Sequence, residues 1–189
     1  MPRNPRMAIG VLYDSGSNAI SVIDGLSTRR LTKARTAARD AWLRRAADAI
    51  RARFSEMGVE VPPDVHVSCG WRTGGLSRRR IGECWPRGRS PKAVNLVFIS
   101  PLLGKVRDIL DALGHELLHA ADDCRSGHGR VFAENARLVG YTIGKHARAT
   151  SVARAWLAQI AIDLGPYPEL SPLSSTLRPR SRRTLVEKK

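Results

Sequence analysis

The segment ALGHELLHAADDCRSGHGRVF, residues 112–132, restricts the fold of this chain more than any other part of the sequence. His115 and His119 are four residues apart, so on an α-helix their imidazoles project from the same face, one turn apart. His128 stands between two glycines, which allow the backbone to turn sharply and to return its ring to the helix. The three rings therefore meet only if the loop after the helix folds back onto it.

The spacing of these side chains is typical of a metal site. Two histidines in the pattern HExxH can bind one Zn²⁺ ion, and a catalytic zinc needs a third protein ligand and one open position. We expect one Zn²⁺ ion bound by His115, His119 and His128. Glu116 is next to a ligand and is placed to take a proton from a zinc-activated water and later to give it to a leaving amine.

Two alternatives to this interpretation stay open at the level of sequence. The helix can simply lie at the surface with two solvated histidines. The third ligand can also be another side chain, and a glutamate in the following helix is the strongest rival because it can complete the same two-histidine site. The candidates of this second kind are Glu134, Asp122, Asp123 and Cys124.

The sequence as a whole predicts four helices, and one of them is the helix that carries the HExxH motif. Residues 28–57 form the clearest one, since apolar residues recur every four positions from Ala38 to Phe54. Ser27 or Thr28 can cap its start, and Gly58 can end it. The HExxH helix starts either at Pro101, with Ser100 as its N-cap, or nearer residue 105. The last two helices are expected at residues 130–141 and 151–165.

Three short strands are expected between the first and second helices, at residues 65–72, 80–85 and 93–100. Because they follow one another directly, we predict an antiparallel meander and an α+β fold. Residues 28–165 would form the domain. Residues 1–27 would be an arm, either flexible or a hairpin, and residues 166–189 a basic, disordered tail rich in Pro, Ser and Arg.

The motif HELLHA followed by GHGRVF resembles the SprT-like zinc metalloproteases, the family of the DNA–protein-crosslink protease Spartan. The resemblance covers residues 40–165 and is strongest at 93–132, where Phe132 fills the family's aromatic position. It implies a minigluzincin-like zincin core, with a three-stranded sheet, the HExxH helix and following helices. It also implies zinc ligation by His115, His119 and His128, and the role of general base and acid for Glu116.

Two further features bear on the place of the chain in that family. No cysteine follows Cys124 in this sequence, so we expect neither the four-cysteine zinc ribbon that ends many members nor the recognition that this ribbon provides. The segment LGPYPEL, near GKHARAT, is similar to phage-encoded members.

The chain carries a net charge of +15, and 26 of its 32 basic residues are arginine. A GC-rich genome explains such a composition without function, whereas a positive field of this size also attracts nucleic acid. We expect sequence-independent binding to DNA phosphates, because no motif for base recognition is evident. The candidate contacts are Arg35, Arg39, Arg78, Arg79, Arg80, Arg87 and Arg89.

The cysteines and the apolar segments bear on location. Three cysteines without a CxxC pair do not indicate a secreted disulfide framework. No stretch approaches the roughly 18 apolar residues that a membrane helix needs. We expect a monomer with no membrane partner in the cytoplasm, which is the host cytoplasm if the protein is phage-encoded.

The strand AVNLVFIS is expected beside the cleft, where an extended substrate pairs with a sheet edge. The substrate contacts would be Asn95, Val97 and Ile99, although a purely structural strand is the alternative. Tyr141 and His146 can stabilise an oxyanion but can equally be structural. We predict a zinc endopeptidase acting on DNA-associated proteins. The alternatives are a non-enzymatic DNA-binding protein with a structural zinc and a peptidase unrelated to DNA.

Overall fold

A computed structural model describes residues 25–70, 81–143 and 147–168, with the backbone alone for residues 25–33. These residues form four helices, a small three-stranded sheet and one short 3₁₀ turn, which is the mixed α+β architecture that the sequence predicts. In chain order the elements are α1 (Gly25–Glu56), β1 (His66–Cys69), β2 (Gly82–Trp85), the 3₁₀ turn (Arg87–Arg89), β3 (Leu96–Ile99), α2 (Val106–Ala121), α3 (Arg130–Leu138) and α4 (Ser151–Leu164).

Helix α1 packs along the core through the apolar stripe that its sequence predicts. Trp42, Ala46, Ile50 and Phe54 are at most 2 % exposed, whereas Ala38 at the start of the stripe is exposed. The helix begins at Gly25, ahead of the predicted caps at residues 27 and 28. It ends as expected, because Gly58 adopts a left-handed φ of 83° that lets the next N–H bond back to the Phe54 carbonyl.

The sheet corrects the predicted topology. Its strand order is β1-β3-β2, with β1 parallel to β3 and β2 antiparallel to β3, so the expected antiparallel meander is wrong. The connection from Cys69 to Gly82 is longer than the roughly two to five residues of a hairpin loop, so β1 and β2 need not be neighbours. The most apolar strand takes the centre instead, where Val97 and Ile99 are fully buried.

Helix α2 is the element that the rest of the fold surrounds, and Leu113 and Leu117 on it are completely buried. It begins at Val106 with Lys105 as N-cap, so the later of the two predicted starts is confirmed. Ser100 is not the cap. Its hydroxyl accepts a hydrogen bond of 3.3 Å from the Leu102 N–H and stabilises the turn that precedes the helix.

The last two helices lie close to their predicted positions. On α4 the buried residues are Ala153 and Leu157, whereas Val152 is 67 % exposed. The packed chain continues past residue 165, the expected end of the domain. Tyr167 is only 8 % exposed and meets the Trp42 ring edge-on at 5.0 Å.

Several predicted segments lie outside the described residues. These are nearly all of the N-terminal arm, the tail beyond Pro168 and the basic turn that holds Arg78, Arg79 and Arg80. Within the part of the chain that is described, no helix is long and apolar enough to cross a lipid bilayer.

Candidate metal centre

Three histidine rings converge at one end of α2. The Nε2 atom of His115 lies 3.2 Å from Nε2 of His119 and 3.2 Å from Nε2 of His128. Two nitrogens that each lie about 2.0–2.1 Å from a tetrahedral zinc ion are about 3.3 Å apart. The spacing of the nitrogens therefore fits a single ion, and these three residues form a group that can hold a metal.

The loop after α2 returns His128 to the helix by means of left-handed backbone. Asp123 and Cys124 both have a φ of 57°, and Gly127 has a φ of 54°. The Cys124 N–H donates to the His119 carbonyl at 2.8 Å, and the Asp122 carboxylate accepts from the Ser126 N–H at 2.9 Å. The chain thus reverses its direction in two steps, first at Asp123 and Cys124 and then at Gly127, and the sequence predicted only the second step.

Phe132 forms the floor of the histidine cluster. It is 1 % exposed, and its ring centroid lies 4.5 Å from that of His119, 4.9 Å from that of His128 and 5.2 Å from that of His115. One aromatic ring on α3 therefore packs against all three imidazoles and limits their rotation.

The orientation of His115 is set from outside the cluster. Its Nδ1 donates a hydrogen bond of 3.1 Å to the Ala147 carbonyl, which makes Nε2 the ring nitrogen that can bind a metal. Asp111 holds that segment, because its carboxylate accepts from the Ala149 N–H at 2.8 Å. Asp111 was missed by the sequence reasoning, although it lies four residues before His115 on the same helix face.

The second histidine of the helix is neutral at neutral pH. Burial lowers the pKa of His119, and together with the like-charge repulsion from the neighbouring His115 and His128 it brings the pKa to about 4. A neutral imidazole is the form that binds a metal ion, so the local environment favours the ligand state.

Glu116 lies beside the histidines and is 7 % exposed. Burial raises the pKa of its carboxyl, and together with the negative charge of the neighbouring Glu83 it brings the pKa to about 8. A β-carbon added at Gly82 would lie 2.7 Å from the Glu116 Oε1 atom, so glycine at that position lets the carboxyl approach β2. Gly82 was also missed by the sequence reasoning, because a glycine in a strand has no distinctive local signal.

The rival ligands have other partners. Glu134 is exposed on α3 and lies 3.7 Å from Arg130, and Asp122 accepts from the Ser126 N–H. Asp123 accepts from the N–H of Arg87 at 2.8 Å. Among the described residues, the group of potential metal ligands contains none of the rivals, which are Asp122, Asp123, Cys124 and Glu134.

The histidines open into a cleft of about 660 Å³. Its walls are the face of α2 that carries the histidines, the loop after α2, the segment at Ala147, Ile81 and the first three residues of β2. Val97 and Ile99 are fully buried on the central strand β3, and Asn95 is fully buried just before it, so the expected substrate edge at β3 is wrong. The strand that reaches the cleft is the edge strand β2.

Asn95 serves the fold through its amide group. The amide nitrogen donates to the Asp123 carboxylate at 2.9 Å and to the Trp85 carbonyl at 3.3 Å. It therefore joins the sheet to the loop that carries His128.

Tyr141 is structural as well: it is 3 % exposed, and its hydroxyl donates to the Asp111 carbonyl at 3.3 Å. His146 lies outside the described residues.

The basic residues expected to contact DNA are dispersed. Arg39 does not lie on the exposed face: it is 5 % exposed, it donates to the carbonyls of Pro101 and Pro168, and its guanidinium lies over the Tyr167 ring. Arg35 and Arg87 are half-buried and Arg89 is exposed, whereas Arg78, Arg79 and Arg80 are outside the described residues.

Comparisons with protein-family models, with curated proteins and with solved structures found no match to this chain.

Proposed function

We propose that this protein is a zinc-dependent endopeptidase that hydrolyses peptide bonds by general base catalysis at Glu116. The observation that carries the proposal is the convergence of three histidine Nε2 atoms next to a buried glutamate in an open cleft. The order of helix, sharp loop and following helix around these residues agrees with a SprT-like, minigluzincin-like zincin, which is the family that HELLHA and GHGRVF resemble.

The donor set fits zinc, since three imidazole nitrogens at tetrahedral spacing are typical ligands of that ion. When bound, zinc would lower the pKa of a water molecule toward about 7 and polarise a substrate carbonyl. His115, His119 and His128 would hold it, and Phe132 would keep their rings in place.

Glu116 would move the proton. Its burial disfavours the charged carboxylate, but a divalent cation at the adjacent histidines would favour it. The carboxylate would then accept a proton from the attacking water and donate it to the amine that leaves. The cleft limits the access of bulk solvent to this carboxyl, which strengthens its interactions.

The peptide would lie along β2. Strand β2 pairs with β3 on one side, and residues 81–84 line the cleft. An extended peptide that added to the other side would pass over Glu116, with its own backbone hydrogen bonds holding the scissile bond in place. This arrangement suits cleavage within a chain, because the cleft is open along the strand.

A non-enzymatic protein with a structural zinc is the second candidate. A structural site has four protein ligands, whereas a catalytic site has three and one open position. Three ligands are brought together among the described residues, which favours the enzyme. The net charge of +15 supports the further proposal that the substrates are proteins associated with DNA.

The proposal is tested with Glu116→Gln in the full chain, with Glu134→Gln as a matched control on the exposed face of α3. We expect both variants to bind one zinc ion, and only Glu116→Gln to lose peptidase activity, by about 100-fold or more. Zinc content is measured by atomic spectroscopy and cleavage on a labelled, unfolded protein, with and without DNA. A zinc-loaded wild type that cleaves nothing would contradict the proposal, as would loss of zinc in Glu116→Gln.

A further inference from the structure

Two cysteine side chains meet inside the metal cleft. The Sγ atoms of Cys84 and Cys124 are 3.1 Å apart, and both residues line the cleft together with the three histidines. Both are free thiols and partly accessible. The proposed peptidase mechanism uses neither of them, and neither belongs to the group of potential metal ligands.

The fold holds the two thiols together by separate contacts. Cys84 is paired with Val97 in the sheet, so its backbone is fixed on β2. Cys124 is held in the loop by the hydrogen bond of its N–H to the His119 carbonyl. Asp123, next to it, accepts hydrogen bonds from Arg87 and Asn95 at the two ends of the β2–β3 connection. The thiols therefore stay adjacent without being bonded.

We propose that Cys84 and Cys124 are a site of reversible disulfide formation, through which an oxidant cross-links strand β2 to the loop after α2. The sulfurs need to approach by only about 1 Å, because a disulfide bond is about 2.05 Å long. Once one of the two thiols has formed a mixed disulfide with an oxidant, a second thiol that the fold holds beside it attacks that bond far faster than a free thiol at ordinary concentrations would. Disulfides of this kind in intracellular proteins are typically transient and redox-sensing.

The oxidant is a small disulfide such as oxidised glutathione, and the step is thiol–disulfide exchange. The thiolate of one cysteine attacks a glutathione sulfur, forms a mixed disulfide and releases one glutathione. The thiolate of the other cysteine then attacks the protein sulfur of that bond and releases the second glutathione. The two cysteines lose two protons and two electrons, and one glutathione disulfide is reduced to two thiols.

The link has a consequence for the cleft that rests on the proposed function. Cys84 is two residues from Gly82, against which the Glu116 carboxyl packs. A disulfide would prevent β2 and the loop from separating when a peptide enters, so we expect oxidation to slow cleavage. It would leave zinc bound, because the ligands are histidines.

The experiment uses the full chain with Cys69→Ser, which removes the third thiol, located on β1. The protein is equilibrated with reduced and oxidised glutathione at several ratios, quenched with acid, and analysed by intact mass and peptide mapping. We expect the loss of two hydrogens and a single Cys84–Cys124 cross-link. Adding Cys84→Ser or Cys124→Ser should instead yield one glutathione adduct, and alanine at either position serves where serine impairs folding.

Three outcomes overturn the proposal. One is two glutathione adducts and no cross-link in Cys69→Ser. Another is a cross-link in the wild type that joins Cys69 to either of the other cysteines. The third is that bound zinc prevents both thiols from reacting with glutathione and that a chelator restores the reaction, since the two cysteines would then be metal ligands. None of these readouts uses peptidase activity, so failure of the proposed function is separable from failure of this inference.

Discussion

His115 illustrates how groups outside the metal cluster set the role of one imidazole. Its Nδ1 donates to the Ala147 carbonyl, and the segment that contains this carbonyl is held by the Asp111 carboxylate through the Ala149 N–H. Burial raises the pKa of the Asp111 carboxyl, so its desolvation has a cost that the hydrogen bond from Ala149 partly offsets. Asp111 is thus a positioning residue rather than a ligand.

We predict that Asp111→Ala weakens zinc binding, by no more than the about 10- to 100-fold that loss of an outer partner of a ligating histidine costs, because Asp111 holds only the segment that carries that partner. Asp111→Asn keeps an oxygen that can accept from Ala149, so its affinity should stay near that of the wild type. Asp108→Ala is the control, because Asp108 is on the same helix and contacts Arg107. Competition with a chelator of known affinity measures all four proteins. Equal losses for Ala and Asn at position 111 would show that the hydrogen bond is not what matters.

The identity of the third ligand is also decided at the scale of single residues. His128 contacts His115 through their Nε2 atoms, whereas Glu134 is paired with Arg130 at the surface. We therefore predict that His128→Ala reduces zinc affinity by more than the about 100-fold upper value for an outer partner. Glu134→Ala should leave zinc affinity unchanged. Zinc titration of both variants is the measurement, and a larger loss in Glu134→Ala would reverse the choice of ligand.

At the scale of elements, the approach of β2 to α2 depends on a glycine. A β-carbon at position 82 would lie 2.7 Å from Oε1 and 2.8 Å from Cγ of Glu116, so the carboxyl would have to move. A displacement of about 1 Å in a catalytic group can cost on the order of 100-fold in rate. For the proposed peptidase, the contact between this strand and this helix would therefore be a condition for catalysis as well as for stability.

We predict that Gly82→Ala lowers kcat by roughly 10- to 100-fold while zinc affinity is retained, because the three atoms nearest the added carbon all belong to Glu116 and not to a histidine. Gly88→Ala is the matched control, since a β-carbon at Gly88 meets nothing within 4 Å. Steady-state kinetics and zinc titration separate the two effects. Unchanged kcat in Gly82→Ala would mean that the Glu116 carboxyl does not need its present position.

At the scale of the whole molecule, charge is the dominant property. The net charge of +15 comes from arginines on several elements. Arg39 is not one of the arginines that can contact DNA, because it is buried against Tyr167. Phosphate contacts release counterions, so the logarithm of DNA affinity should fall linearly with the logarithm of salt, by about 0.9 per phosphate neutralised. This relation depends on charge and not on base sequence.

We predict binding to unrelated single- and double-stranded DNA sequences. If about six phosphates are neutralised, affinity should fall on the order of a thousandfold between about 50 and 200 mM salt. Truncation after Leu173 should flatten the slope, because it removes four arginines, Arg178, Arg180, Arg182 and Arg183, and leaves the metal site intact. A salt series with labelled DNA is the measurement. Undetectable binding at about 50 mM salt would favour a peptidase unrelated to DNA.

The amino-acid sequence by itself determined what is local in this protein. Helix α1 follows from apolar residues at a spacing of four, and its end follows from Gly58. The convergence of His115, His119 and His128 was predictable because two of them share one helix turn and the third follows a short loop. Each of these features depends on the conformational preferences of a few neighbouring residues, and periodicity records those preferences directly.

Only the tertiary structure decided the contacts between distant segments. The sheet order, the burial of Arg39 and the pairing of Cys84 with Cys124 each join residues that are far apart in the chain. The energy of such a contact depends on which partners the whole core brings together, and the loop-closure entropy that opposes it changes only slowly with separation. An arginine on a helix therefore has the same local pattern whether it faces solvent or, like Arg39, donates to carbonyls inside the fold.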